Sequence, residues 1–338
     1  MRNKVLCFGE LLMRFSPVLG GEWMHQNSMP VYIGGAELNV AHALALWDVP
    51  VKYLTAIPDN YLSRDIVENI ATKNIDISSI NFSGNRIGTY YLPQGADLKN
   101  AGVIYDRANS SFAELKTGMI DWDKVLEEVG LFHFSAICPA ISEAAAQVCE
   151  EALKACAAKN ITISIDLNYR SKLWQYDQQP VDVMPALVKY CSIVMGNIWA
   201  AETMLGIGFD EDVKAIDKKD NYLQQSKATS IKIMQQFPNC KTVANTFRFG
   251  DGALSYYTTL FHQQQLYISA EYHTNTVIDK VGSGDCFMAG LIYGNYHNNP
   301  PQQMLDYATA AAFQKILITG DATDKTPDEV KTFIQQHD

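Results

Sequence analysis

The stretch "DKVGSGDCFMAGLIYG", residues 279–294, decides how the rest of the chain is read. Gly282 and Gly284 flank Ser283, Asp285 follows at once, and an apolar run of helical character comes next. A helix N-terminus carries N–H groups without partners inside the helix and a partial positive charge, so anions bind there without a dedicated side chain. Glycines let the backbone turn tightly and come close to a ligand. Residues 282–285 therefore read as an oxyanion cradle. Asp285 does not suit a cradle for a resting anion, because a carboxylate repels phosphate. It suits a general base that takes a proton from a hydroxyl while the N–H groups hold developing negative charge. Phosphoryl transfer to a hydroxyl is the simplest reaction of that form. The competing reading is an N-cap, a common place for Asp.

Two nucleotide motifs are excluded. A dinucleotide fingerprint should follow the first strand, with an acid about 20 residues later, and this loop is late in the chain. A P-loop needs Gly-Lys-Ser/Thr after four variable residues, which is absent here.

Outward from the loop, strand-like and helix-like segments alternate. "VLCFG", "VKYLTAI", "GLFHFSAI", "ITISIDLN" and the end of "ALVKYCSIVMGN" read as strands. "GGAELNVAHALALWDV", "DNYLSRDIVENIATKNI" and "SEAAAQVCEEALKACAAKN" read as helices. This alternation predicts an α/β fold, a Rossmann-like and mostly parallel sheet with helices on both faces. Residues 11–35 and 86–108 break the pattern. Their β-branched and aromatic runs, "LMRFSPV", "MPVYIGG", "IGTYYLP" and "VIYDR", predict a small β-sheet lid over the open end of the main sheet. The core is then 1–10, 36–85 and 109–338. The polar stretch 209–230 is expected to be an exposed helix and loop.

Composition narrows the function classes. The chain has 338 residues, 47% of them hydrophobic, and a net charge of −10. No run approaches the roughly 18 apolar residues of a membrane helix, and "MRNKVLCFGE" reads as a first strand and not a signal peptide. A cytoplasmic protein is expected. Seven scattered cysteines with no Cys-x-x-Cys pair argue against disulfides and structural zinc. Without a basic run, neither nucleic acid nor an anionic membrane is an expected partner.

A second glycine pair, Gly34 and Gly35 in "YIGGAELNVAHALA", leads into a helix with Asn39 near its start. Asn39 offers a donor and an acceptor, suited to sugar hydroxyls; a tight turn with a capping Asn is the plainer reading. Gly-Gly-Ala-x-x-Asn early and Asp-x-x-Gly-x-Gly-Asp late together resemble the ribokinase-like (PfkB) family of carbohydrate kinases, along essentially the whole chain. The resemblance implies ATP as donor, Mg²⁺, a hydroxymethyl acceptor, Asp285 as catalytic base and the backbone of Gly282, Ser283 and Gly284 as the anion hole.

The acceptor must be read from other residues. "DLNYRSKLW", 166–174, ends a strand with Asp166, Asn168 and Arg170, where ligands of open α/β sheets sit. An arginine there can bind a carboxylate through two parallel hydrogen bonds, or form a surface ion pair. Tyr90, Tyr105 and Arg107 come from the presumed lid. Together with "FGELLMRFSP", these motifs are similar to those of 2-keto-3-deoxygluconate kinases. That likeness implies Gly34, Gly35, Asn39, Tyr90, Tyr105, Arg107 and Arg170 as substrate contacts, with Arg170 on the carboxylate. A fructokinase is the alternative within the family.

Two places depart from the family pattern. In "GNIWAAE", Ala200 stands where the family often has Glu after Asn197, so no metal ligand is assigned and Mg²⁺ is expected to ride on the nucleotide phosphates. In "NTFRFGDGALSYY", Gly250 and Gly252 replace the usual Gly-x-x-Gly. Asn197, Gly250, Gly252, Gly282 and Gly284 are the expected nucleotide contacts, and the adenine is expected among 274–282 and 307–320. These departures lend some support to a reading of another class, a sugar-binding sensor that has lost catalysis. Exposed lid edges invite pairing across subunits, so a homo-oligomer is expected.

Overall fold

The computed structural model describes residues 4–93, 102–208, 219–250 and 253–337. Its main sheet has ten strands. Seven of them run parallel, in the spatial order Ile75–Asp76, Val51–Leu54, Lys4–Phe8, Val129–Ser135, Thr162–Asp166, Ile193–Gly196 and Thr242–Phe249. Leu254–His262 then turns back antiparallel, and Gln265–Ile268 and Tyr272–Thr274 pair successive parts of its far side.

The first strand shows why this sheet is buried on both faces. Val5 and Cys7 pack into one apolar cluster, Leu6 and Phe8 into another. Side chains alternate across a strand, so "VLCF" feeds two cores at once. Ile193 and Met195 against Val194 repeat the division. Unbroken apolar strands of this kind require helices on both sides. Helices Ala36–Leu46, Ser283–Tyr296 and Pro301–Ile316 cover one face. Glu143–Ala158, Pro180–Val188 and Ile198–Leu205 cover the other. No helix among the described residues is long and apolar enough to cross a membrane.

A separate four-stranded sheet has the order Val31–Gly34, Leu12–Phe15, Gly88–Tyr91, Ile104–Asp106. Its central pair is parallel and its outer pairs antiparallel. All four strands fall in the stretches expected to be extended, but residues 11–35 also hold a short helix, Glu22–Gln26. Five residues are too few to show a helical period in sequence.

The stretch 209–230 differs from expectation. Residues 209–218 lie outside the described residues, and Lys219–Gln236 is a helix that buries Tyr222, Gln225, Ser226, Thr229, Ser230 and Ile233. Its buried side is polar because it hydrogen-bonds to the sheet. The Ser226 hydroxyl reaches Asn245 Oδ1 at 2.8 Å and Thr259 Oγ1 at 2.7 Å. Reading polarity as exposure fails where the partners are distant in sequence.

Candidate active site

The C-terminal ends of the parallel strands, the small sheet and several helix N-termini enclose a cleft of about 470 Å³. Strand Thr162–Asp166 delivers Asp166, Asn168 and Arg170. Ile193–Gly196 delivers Asn197, and Thr242–Phe249 delivers Thr246, Arg248 and Gly250. The small sheet contributes Leu12, Tyr90 and Tyr105, with Arg107 just beyond its last strand. Gly35, Asn39 and the whole of 280–285 complete the wall.

Helix Ser283–Tyr296 begins at Gly282, which has φ +79° and no side-chain cap above it. The N-cap reading of Asp285 therefore does not hold, since Asp285 is the third helical residue. Gly282 cannot be replaced without movement, because a Cβ would lie 1.7 Å from the carbonyl oxygen of Asp321. Gly284 is the opposite case. Its Cβ would meet nothing closer than Met195 Cε at 3.9 Å, so open space reaches the helix-head backbone. The Ser283 hydroxyl donates to the Lys280 carbonyl at 3.0 Å and tightens the loop.

Asp285 is buried and accepts a 2.7 Å hydrogen bond at Oδ2 from the Asn39 side-chain amide. Its carboxyl is pushed up to about 7, chiefly by burial. The Asn39 hydrogen bond pulls it down, the charges of Asp166 and Glu37 push it up, and Arg170 pulls it down. A carboxyl poised there is matched to base catalysis at neutral pH. Asn39 lies in helix Ala36–Leu46, whose N-cap is Gly35, so Asn39 is not the cap either. Its Oδ1 is buried and has no hydrogen-bond partner. Gly35, at φ +133°, leaves a Cβ only 2.2 Å from the Glu10 carbonyl oxygen, which explains glycine there. Gly34 stands behind the wall, tight against the Asp321 carboxylate.

The two expected arginines differ. Arg107 lines the cleft but is 6% exposed, and its Nε donates to Glu10 Oε2 at 2.6 Å. Ser110 also donates to the Glu10 carboxylate. Arg170 is half-buried, and among the described residues it makes one long hydrogen bond, 3.5 Å from Nη1 to the carbonyl of Tyr169. Tyr90 donates to Asp321 Oδ2 at 3.2 Å, and its ring centroid lies 6.2 Å from that of Tyr105.

On the other side of the cleft, Asn197 caps helix Ile198–Leu205, its Oδ1 accepting from Ala200 N at 2.8 Å. Gly250 takes φ +113° at the turn after its strand, and Gly252 lies outside the described residues. Of the stretches expected to hold adenine, 274–282 reaches the cleft through Lys280, Val281 and Gly282. Residues 307–316 are buried in helix Pro301–Ile316. Sequence reading assigned no individual role to Arg248, Lys280 and Asp321, all of which line the cleft. The alternation of Thr246 and Arg248 along one strand face was the available signal for the first. Among the described residues, no group of three or more His, Cys, Asp or Glu side chains could hold a metal.

Comparison with known proteins finds relatives along the whole chain. A 2-dehydro-3-deoxygalactonokinase of Haloferax volcanii is 28% identical over 338 residues, 100% of this chain and 98% of the relative. The crystal structure of a 2-dehydro-3-deoxygluconokinase from Thermotoga maritima superposes with a TM-score of 0.87 at 31% identity, covering 98% of this chain and 99% of that one. A fructokinase with bound ATP from Xylella fastidiosa shares the fold, with a TM-score of 0.76 at 16% identity over 99% of both chains. The family model for pfkB family carbohydrate kinases matches residues 2–328, and the chain belongs to that family.

Proposed function

We propose that this kinase transfers the γ-phosphoryl group of ATP to the terminal hydroxyl of a 2-dehydro-3-deoxy sugar acid, with 2-dehydro-3-deoxy-D-gluconate as acceptor. The observation that carries the reading is the pairing, in one cleft, of a near-neutral base at a helix head with a lightly engaged arginine. Asp285 removes the proton from the attacking hydroxyl. The N–H groups at the start of helix Ser283–Tyr296 hold the charge that develops on the transferring group. Arg170 takes the substrate carboxylate in a bidentate pair, since among the described residues its guanidinium makes one long hydrogen bond, to Tyr169. Arg107, whose charge already meets Glu10, shapes the wall and contacts hydroxyls with Tyr90, Tyr105 and Asn39. The unpartnered Oδ1 of Asn39 is an acceptor ready for one of them.

ATP supplies the phosphoryl group when bound. Gly250, the 282–284 backbone, Arg248 and Lys280 line the side of the cleft where a triphosphate fits, and Asn197 lies beside them. Mg²⁺ would be held by phosphate oxygens and water. The small sheet acts as a lid that keeps water from the reacting centre, and its exposed edge residues Val31 and Ile104 suit pairing between subunits. The Haloferax relative supports one second reading, the galactonate epimer as acceptor.

A panel of both keto-deoxy acids, fructose, ribose and adenosine with ATP and Mg²⁺ tests the substrate. The acids should be phosphorylated best, and a preference for a neutral sugar would refute the assignment. Asp285→Asn should keep substrate binding and lose roughly 10²–10⁴ in kcat; near-normal turnover would remove Asp285 as base. Binding of the acid without any turnover in the unmodified protein would instead support a sensor.

A further inference from the structure

Behind the cleft wall, a charged group from the small sheet holds together the two chain segments that shape the anion hole. Arg14 comes from strand Leu12–Phe15, and its side chain is 2% exposed. Its Nη2 lies 2.8 Å from Asp279 Oδ2 and 2.8 Å from Asp321 Oδ1, while the guanidinium sits over the Tyr32 ring, 4.3 Å from the centroid.

Each aspartate fixes part of the hole. Asp279 opens the loop, with Oδ1 accepting from Val281 N at 3.0 Å and Oδ2 from Gly320 N at 3.3 Å. Asp321 is the residue against which Gly282 and Gly34 are both packed, so the two glycine motifs of the sequence converge on it. Lys315, fully buried, adds a second cation, its Nζ 3.4 Å from the carbonyl oxygens of Asp279 and Ile318. Two basic side chains therefore lie beside two aspartates, Arg14 on their carboxylates and Lys315 on the backbone carbonyl of Asp279.

Stability does not account for this arrangement. A buried ion pair contributes little compared with well-packed apolar side chains, because desolvation offsets the attraction. Arg14 moreover keeps a buried Nε with no hydrogen-bond partner, which is a cost. What the cluster does supply is geometry. It ties the sheet that carries Tyr90 and Tyr105 to the loop that carries Gly282–Asp285.

We propose that Arg14 is a positioning residue for phosphoryl transfer, clamping Asp279 to Asp321 so that the anion hole keeps its shape and its register with the sugar-side sheet. The proposal rests on the kinase reading of the cleft. Arg14 is buried and is not among the cleft-lining residues. Its loss should leave both substrates bound and misplace the helix head by a fraction of an ångström or more, an error that costs on the order of a hundredfold in rate.

The test compares Arg14→Met with the charge-balanced pair Arg14→Met/Asp321→Asn, which leaves Lys315 and Asp279 matched. The unfolding midpoint, kcat and both KM values are measured at a temperature where each variant is folded. In the single variant, kcat should fall roughly a hundredfold with KM for sugar acid and ATP within about threefold. In the double variant the midpoint should return toward the wild-type value while kcat stays low, which a purely structural arginine would not produce. If kcat recovers together with the midpoint, or never falls, the proposal is overturned. Should the single variant fail to fold, the double variant alone decides. Wild-type protein that turns over only neutral sugars would refute the sugar-acid assignment and leave the clamp to be read on those sugars.

Discussion

Arg107 and Arg170 face the same cleft and are both expected from sequence as substrate contacts, yet the structure treats them in opposite ways. Arg107 is buried and bound to Glu10, a residue 97 positions away. Arg170 is half-buried, and among the described residues its guanidinium makes one long hydrogen bond, to the carbonyl of its neighbour. A guanidinium already paired with a carboxylate has little charge left for a second one, whereas a lightly engaged guanidinium at a cleft wall can take a carboxylate bidentately. Proximity to a site thus separates from availability to a substrate. The arginine that holds the wall and the one that reads the ligand can be told apart by what each already touches.

The largest test of this contrast is on stability. Arg107→Met should cost about 3–5 kcal/mol in chemical denaturation, because it strands the Glu10 carboxylate in the interior. Replacing both partners, as Glu10→Gln/Arg107→Met, should restore much of the loss. Arg170→Ala, by contrast, should unfold like wild type. Equal stability of the two single variants would erase the distinction.

Catalysis should show the reverse. Removing a charged hydrogen bond to the substrate costs about 1.5–3 kcal/mol, so Arg170→Ala should lower kcat/KM for the keto-deoxy acid by roughly 10- to 150-fold. Its effect on a neutral sugar should be far smaller. A uniform loss on acid and neutral acceptors would move the carboxylate to another residue.

The smallest effect is electrostatic. Asp285 must be ionised to act as base, and its carboxyl is pushed up to about 7 by burial, with Arg170 among the groups that hold it down. Turnover in wild type should therefore rise with pH through about 7. Without the Arg170 cation the carboxyl moves further up, so the acid limb of kcat in Arg170→Ala should shift to higher pH. The Glu10→Gln/Arg107→Met variant should leave the limb in place. A limb that shifts in both, or in neither, would detach the base from Arg170.

Local signals made much of this legible. The strand–helix alternation, the two glycine motifs and the four strands of the small sheet depend on neighbouring residues, and all are where those residues imply. So are the cleft positions of Asp285, Asn39, Tyr90, Tyr105 and Arg170. What sequence could not supply were the partnerships between distant side chains. Glu10 stood in a quoted motif without a role until Arg107 met it. Arg14 and Asp279 are separated by 265 positions, and Asp321 sat one residue past a stretch read as part of an adenine pocket. The polar side of helix Lys219–Gln236 was mistaken for a solvated one, because Asn245 and Thr259 lie on strands further along the chain.

The helix that carries Asp285 lies so close to Pro301–Ile316 that a Cβ on Gly290 would come within 2.4 Å of the Ala308 backbone, and one on Gly294 within 2.5 Å of Met304. Two rods seated backbone to backbone leave no room for a side chain at either glycine. Asp285 rides on the first turn of that tightly packed helix. A methyl group at Gly290 or Gly294 would push the rod off its neighbour and carry the carboxylate with it.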